Sequence, residues 1–570
     1  GHPIAVFGPQ VSYFAPQILM QEDLHSPTYA AEGASFPGTG VVELGRGEDY
    51  AWSATSAGTD LIDQRLEVIC TTDGSAPKAG GTMYEFDGRC LPMTNETFSE
   101  TALPTAAGAG APTVIDHEVH LTRHGVVQGW TTDASGRVVA VVNQRSTYDH
   151  DVDSVIGFVD WGTPSATHDE ASWVHGATEI GFTFNWFYVD DRDAGYYVSG
   201  LDPVRPSDAD PNLPLTGTGN SEWAGFEPSK RHPQEVNPAQ GFFVSWNNKP
   251  APDFSASDSQ FGYGSTYRST MLVNALKAQL AAHGGKVTRA QVVQAMETAA
   301  TQDLDGLTEI PALLSYLKAH PAPAGTPVQD QQMLDLLATW VADGAHRHKA
   351  KEGDSQYDHA AAVAISDELV PDLIHAVWDP LLAGGGNGSV GSTGGATSDG
   401  YAILPAQFTN TPNSGGAHLG SAYDGGWEGY LEDTFAQLSG RTTGDTFAGP
   451  VTDTWCGGGP ASCPAAIWGA VTTAEKALVT ANGSSDPAAW TASTASAATA
   501  GAPSPTNPQG KPAQTMPQFD AIAFRAVGLV GTPDIDWQNR PTFQQVVEFP
   551  RHRPRTGTRP PPPPGRPHTG

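Results

Sequence analysis

Along the first 270 residues, apolar and polar positions alternate in short runs. Val138 to Gln144 (VVAVVNQ), Phe184 to Asp190 (FNWFYVD) and Gly241 to Asn247 (GFFVSWN) are clear cases, and Gly, Pro, Asp and Asn punctuate them. Alternation with such breaks predicts strands joined by turns. Near residue 270 the period lengthens. Ser269 to His283 carries apolar residues at helical spacing, and Thr288 stands as an N-cap before RAQVVQAMETAA. Further helices are predicted over Asp330 to Val341, Tyr357 to Ala383 and Ala465 to Thr480. The glycine tract 384–400 reads as a loop or flexible linker. Beyond a polar Ala/Ser/Pro segment, AIAFRAVGL and TFQQVVEF return to strand patterning. Strand, then helix, then strand predicts an α+β fold whose core sheet is interrupted by a helical insertion. The expected divisions are a strand-rich core over 1–270, a mainly helical region over 271–480, a loop with returning strands over 481–550, and a basic, Pro-rich tail over 551–570 that is expected to be disordered or polyproline II.

Composition narrows the function classes. The chain has 570 residues, enough for a large core and more than one domain. Acidic residues outnumber basic ones by 62 to 30, for a net charge of -32. A surface of that sign repels phosphates and anionic lipid, so no nucleic acid and no membrane is expected as a partner. No apolar run reaches the length of about 18 residues needed to span a bilayer. High Gly and Pro with low Lys point to a loop-rich, exported protein. The four cysteines fall into two close pairs. Cys70 and Cys90 flank a Gly-rich turn, and Cys456 and Cys463 flank GGGPAS. These spacings suit local disulfides in an oxidising compartment. A zinc site built from all four thiolates is the competing reading, and it lacks a C-x-x-C pair. There is no internal repeat, and no Ser is framed as G-x-S-x-G.

Four segments stand in a fixed order: GPQVSYFAPQ (Gly8 to Gln17), AWSATSAGTDLID (Ala51 to Asp63), NWFYVDDRDAGYYVSG (Asn185 to Gly200) and SWNNKP (Ser245 to Pro250). In this order they resemble the large subunit of the penicillin acylases, amidases of the N-terminal-nucleophile hydrolase superfamily. The resemblance is densest up to about residue 270 and returns at WQNRPTF (Trp537 to Phe543). It implies an αββα sandwich, two stacked antiparallel sheets between helical layers, with a helical insertion. It also implies hydrolysis of an amide through an acyl-enzyme. The nucleophile is a Ser (sometimes Cys or Thr) freed as the first residue of the large subunit by autoproteolytic processing, with its own α-amine as base. The chain begins GHPIAVFGPQ, without Met, and matching GPQVSYF places that Ser about a dozen residues before Gly1. The expectation is therefore a large-subunit fragment without its nucleophile. Its partner would be the small (α) subunit of the same precursor, in a periplasmic or extracellular heterodimer.

The resemblance also implies site residues. The oxyanion of the tetrahedral intermediate would meet the backbone N–H of Ser56 and the side-chain amide of Asn247. The N-N-K-P sequence around Asn247 is equally good turn chemistry. Gln10 would orient the nucleophile, and Arg268 would organise the hydrogen bonds of the site. Val11, Leu44, Ala54, Trp161 and Phe184 would line the acyl pocket. Phenylacetyl-specific members have Phe at the positions of Val11 and Leu44, so the pocket here is expected to be wider and less aromatic, and to take a longer or aliphatic acyl chain. A structural calcium ion would be held by carboxylates of Asp60, Asp63 and Asp258 and by carbonyls of Ile62 and Pro211, since such an ion takes six or more oxygens.

Two other functions remain compatible with the residues alone. One is an inactive relative that keeps the fold as a binding module. The other is a carbohydrate-active protein, suggested by acidity and 14 Trp, which would need two carboxylates across a sugar cleft.

Overall fold

The computed structural model describes residues 2–9, 18–102, 111–211, 213–251, 266–347, 356–383, 427–441, 447–491, 523–525, 534–536 and 543–550. Strand β1 (Ile4–Phe7) comes first, followed by β2 (Met20–His25), β3 (Ala30–Ser35), β4 (Leu44–Arg46), β5 (Ala51–Ser56) and β6 (Ile62–Val68). A small hairpin, β7 (Met83–Phe86) and β8 (Arg89–Pro92), precedes β9 (Thr94–Ala102), β10 (Thr113–Thr122), β11 (Gly125–Thr132) and β12 (Val138–Arg145). Helices α1 (Val155–Gly162) and α2 (Glu170–Thr178) lead to β13 (Phe184–Val189), β14 (Ala194–Ser199), β15 (Leu215–Thr216) and β16 (Gln234–Val236).

These strands form two large sheets. One has the order β16-β14-β13-β5-β4-β3-β2, and the other β15-β6-β12-β11-β10-β9. In the first, β5 and β13 run antiparallel with Ala54 opposite Trp186 and Thr55 opposite Asn185. The two-residue period then sorts their side chains onto opposite faces. Trp52, Ala54, Trp186 and Tyr188 face α1 and α2, where Phe158, Trp161, Trp173 and Ala177 complete an aromatic core. Ala51 and Val189 face the other way, onto Val547.

Helices α1 and α2 fall in a stretch whose pattern reads mainly as strand. They are short, and glycines let them approach closely. A Cβ on Gly157 would lie 2.4 Å from the carbonyl of Gly176, so α1 and α2 touch at a point that only glycine allows. Asp169 caps α2 by accepting from the N–H of Ser172 at 2.9 Å.

The helical region holds α3 (Thr266–Ala282), α4 (Arg289–Thr301), α5 (Leu304–Leu307), α6 (Glu309–Ala319), α7 (Val328–Ala342), α8 (Ala360–Ala383), α9 (Trp427–Leu438), α10 (Pro450–Thr454) and α11 (Cys463–Asn482). Thr288 does cap α4, through a reciprocal capping box with Gln291. A second core, including Leu313, Leu337, Trp340, Leu373, Phe435 and Val471, lies among these helices. Strands β17 (Ala523–Arg525) and β18 (Asp534–Asp536) pair with each other, and β19 (Gln545–Glu548) pairs antiparallel with β1, Ile4 opposite Glu548. The chain thus returns after the helices to the sheet it began beside. No helix among the described residues is long and apolar enough to cross a membrane.

Both cysteine pairs are disulfides, Cys70–Cys90 and Cys456–Cys463, and the zinc reading falls with them. The first closes a loop of 20 residues around the edge where β7 meets Ile69. A crosslink of that span stabilises by about 3 kcal/mol through the unfolded chain. Replacing Cys70 and Cys90 together by Ser should therefore lower the denaturant midpoint of unfolding. An unchanged midpoint would show that the loop is ordered without the bond.

Candidate active site

Strand β5 ends at Ser56, and the site is built around that end. Ala57 donates its N–H across the ladder to Thr183 O at 3.4 Å, so the alternation of an antiparallel pair turns the N–H and carbonyl of Ser56 away from β13. A strand-end carbonyl in a partly buried place needs donors from elsewhere. It receives two. Asn247 Nδ2 donates to Ser56 O at 3.0 Å, and Asn185 Nδ2 donates to the same oxygen at 3.2 Å. Asn185 also donates to Thr55 Oγ1 at 3.2 Å, and Thr55 Oγ1 lies 2.7 Å from Ser245 Oγ. Tyr196 O–H donates to Asn185 Oδ1 at 2.6 Å. Burial pushes the Tyr196 pKa up, which keeps that hydroxyl neutral and donating. Asn185 is therefore held in the orientation that sends its amide towards Ser56.

Asn247 is both a turn residue and a long-range contact. Its φ of 65° lies in the left-handed region that Asn tolerates better than most residues. The turn is tied by Asn248, whose Oδ1 accepts from Trp246 N at 3.0 Å. Trp246 packs on Met271, Ala275, Ala295 and Ala299, so α3 and α4 hold the loop from behind.

Ser56 and Asn247 lie on the wall of an apolar cavity of ≈1130 Å³. Leu44, Ala54 and Phe184 line it, as their sequence positions suggest. Trp161 does not. It is fully buried one layer back, its Nε1–H donating to Trp173 O at 2.9 Å and its ring against Phe158 and Trp186, which are on the wall. Phe36, Phe158, Phe182 and Trp186 supply rings from positions that no local pattern marks. The cavity also extends to Leu272, Leu276 and Met296 on α3 and α4. Ser53 Oγ, on the same wall, is buried without a hydrogen-bond partner among the described residues. Gln10 and Val11 lie outside the described residues. Arg268 stands in the first turn of α3, and only its backbone is described.

The residues expected to hold calcium present a different chemistry. Asp60 and Asp63 are both buried and adjacent. Between them lies the guanidinium of Arg205. Its Nε–H donates to both oxygens of Asp63, at 2.9 and 3.0 Å. Its Nη2 lies 2.8 Å from Asp60 Oδ2 and donates to Asp60 O at 3.2 Å. Trp223 Nε1–H donates to Asp63 Oδ2 at 2.6 Å. A hard cation needs a cage of oxygens; the carboxylate of Asp63 accepts from Arg205 and Trp223, and that of Asp60 lies beside the same guanidinium. Among the described residues no group of three or more His, Cys, Asp and Glu is arranged to hold a metal ion. Ile62 opens β6 and Pro211 stands in a half-buried turn, and Asp258 lies outside the described residues. Nearby, burial pushes Asp202 up to about 6 while His232 pulls it down.

Comparison with known proteins adds to this geometry. A family described as Penicillin amidase matches residues 1–565. The chain is 27% identical over 342 residues to penicillin G acylase of Escherichia coli, covering 59% of this chain and 37% of that protein. It is 27% identical over 230 residues to the acyl-homoserine lactone acylase QuiP of Pseudomonas syringae pv. tomato, covering 40% and 26%. The matched part is thus 37% or less of either curated relative. The solved structure of a thermostable penicillin G acylase from Alcaligenes faecalis superposes with a TM-score of 0.65 at 20% identity, over 96% of this chain and 86% of that one.

The hydrogen bonds of Asn185 can be tested apart from any activity. Asn185→Leu removes the donor to Thr55 and Ser56 and the acceptor for Tyr196. Leaving such groups unpaired should cost about 1–3 kcal/mol, read as a lower denaturant midpoint. A variant as stable as the parent would show that these bonds do not hold the strand end.

Proposed function

Because the chain belongs to the penicillin amidase family, whose fold it shares with penicillin G acylase, we propose that it is the large-subunit part of an enzyme that hydrolyses N-acyl amide bonds. The observation that carries this reading is the meeting of Asn247 and Ser56 on the wall of one apolar cavity. In the proposed reaction the acyl group lies in the cavity beside Leu44, Ala54 and Phe184. The developing oxyanion lies against the Asn247 amide and the Ser56 N–H. Donors fixed before the reaction stabilise that charge without reorganisation. Asn185 and Tyr196 position Ser56 and do not touch substrate. The nucleophile in this reading is an N-terminal Ser, Cys or Thr outside these 570 residues; Gln10 orients it and Arg268 organises the hydrogen bonds of the site.

The relatives are named for penicillin G and for acyl-homoserine lactones. Here the size of the cavity and its reach to Leu272, Leu276 and Met296 favour an acyl chain longer or more flexible than phenylacetyl. The two disulfides support export to a periplasmic or extracellular site. The small subunit of the same precursor is the proposed partner. Four exposed apolar residues at helical spacing on one side of α1 and its preceding turn, Val152, Val155, Ile156 and Val159, support a covering chain there.

Two measurements test the reading on the processed two-chain enzyme. Asn247→Ala should lower turnover about 10²–10³-fold, the usual loss for one oxyanion donor. Asn247→Gly keeps the left-handed turn and should lose as much, which assigns the effect to the side chain. A full rate in either variant removes Asn247 from the mechanism.

The second measurement compares kcat/KM over N-acyl substrates of increasing chain length with one chromogenic amine. Each methylene in an apolar pocket is worth about 1–3 kcal/mol, so the profile should rise beyond phenylacetyl. A maximum at phenylacetyl would overturn the proposed specificity and leave the amidase reading intact.

A further inference from the structure

The loop that carries Asn247 meets the first sheet at every second residue. Phe243 lies on the rings of Phe187 and Tyr196, with centroids 6.1 and 5.8 Å away. Ser245 Oγ lies 2.7 Å from Thr55 Oγ1, and Asn247 Nδ2 donates to Ser56 O at 3.0 Å. Trp246, between the last two, packs the other way, onto α3 and α4. This period of two is that of an extended chain, so the place of Phe243 on the sheet sets the place of Asn247. On the sheet itself, Phe187 and Tyr196 stand opposite each other in the β13–β14 ladder, their rings 5.2 Å apart. Asn185 is two residues from Phe187 and shares its face. The diagonal across the ladder brings the Tyr196 hydroxyl to Asn185 Oδ1, at 2.6 Å. The backbone of Tyr196 pairs with Glu235 of β16, the strand from which the loop departs. Phe187 and Phe243 line the cavity, and Tyr196 is not on its wall.

We propose that Tyr196 is a positioning residue shared by both oxyanion donors: its hydroxyl sets Ser56 through Asn185, its ring sets Asn247 through Phe243, and together they fix the spacing of the two donors. The inference rests on the amidase reading above. It adds that the two donors are not placed independently, although they come from parts of the chain 191 residues apart. One rigid side chain serves both routes, and the two are chemically separable, since one ends in a hydrogen bond and the other in ring packing. Such control matters because donors help only where the charge develops, and a misplacement of about 1 Å can cost 10²-fold in rate.

The test uses the processed two-chain enzyme. Tyr196→Phe removes the hydroxyl and keeps the ring. It should lower kcat about 3–10-fold, the usual worth of one hydrogen bond, with KM unchanged, which marks an interaction that counts only in the transition state. Tyr196→Leu removes the ring as well and should lower kcat further. Once Asn247 is replaced by Ala, the ring has no donor left to place, so Tyr196→Leu and Tyr196→Phe should be equally active in that background. The parent's kcat in Tyr196→Phe, with or without a lower melting temperature, would overturn the proposal. A gap between the Leu and Phe variants that persists without Asn247 would overturn it too. Tyr196→Phe keeps the packing of the ring, so its kcat decides even where Tyr196→Leu does not fold. Neither result touches the amidase reading, which loses Asn247 only if Asn247→Ala itself keeps the full rate.

Discussion

The carbonyl of Ser56 must find hydrogen-bond donors beyond the end of its ladder, and much of the site depends on how it does so. Asn185 reaches it from the neighbouring strand, and Asn247 from a loop 191 residues away in sequence. The Asn247 bond fixes the loop that follows β16 against the end of β5, and the Asn185 bond ties the same carbonyl to β13. The same loop buries Trp246 under α3 and α4. The helical insertion is thereby joined mechanically to the strand end, and the cavity between them has walls from both parts of the chain.

A different constraint orders the segment between β14 and β16. It contains little regular structure and cannot hold itself by ladders. Its order comes from charge. The buried face of β6 offers alternating charges, and the segment supplies complementary groups in sequence: Arg205 for Asp63, Ser221 O for Arg65, and Glu222 through His124 for Glu67. Breaking one side of a buried pair leaves an uncompensated charge and is far more destabilising than replacing both. These contacts hold a long, largely irregular stretch closely on the sheet.

The apolar cavity takes its wall from distant parts of the chain. Leu44 shares that wall with the rings of Phe36, Phe158 and Phe182. Trp161, expected on the surface of the pocket, supports that surface from behind. An aromatic side chain stiffens a neighbour by packing as effectively as it contacts a ligand.

What the sequence by itself determined is whatever depends on near neighbours. The strand period at β5 and β13, the helix start at Thr288 and the two short cysteine loops are signals carried within about twenty residues, and the order of the four segments is read directly along the chain. They were enough for an α+β fold and for the pairing of Ser56 with Asn247, since the resemblance placed both. Tertiary structure decided the rest. Arg205 meets Asp63 across 142 residues, and Asn185 meets Thr55 across 130. Helices α1 and α2 likewise carry too few turns to impose a period, and form because Gly157 and Gly176 let them pack on the tryptophan layer. The physical reason is common to all three. A local pattern reports what a residue prefers to be, whereas the partner that satisfies a buried charge or carbonyl is chosen by the register of strands brought together only when the chain has folded.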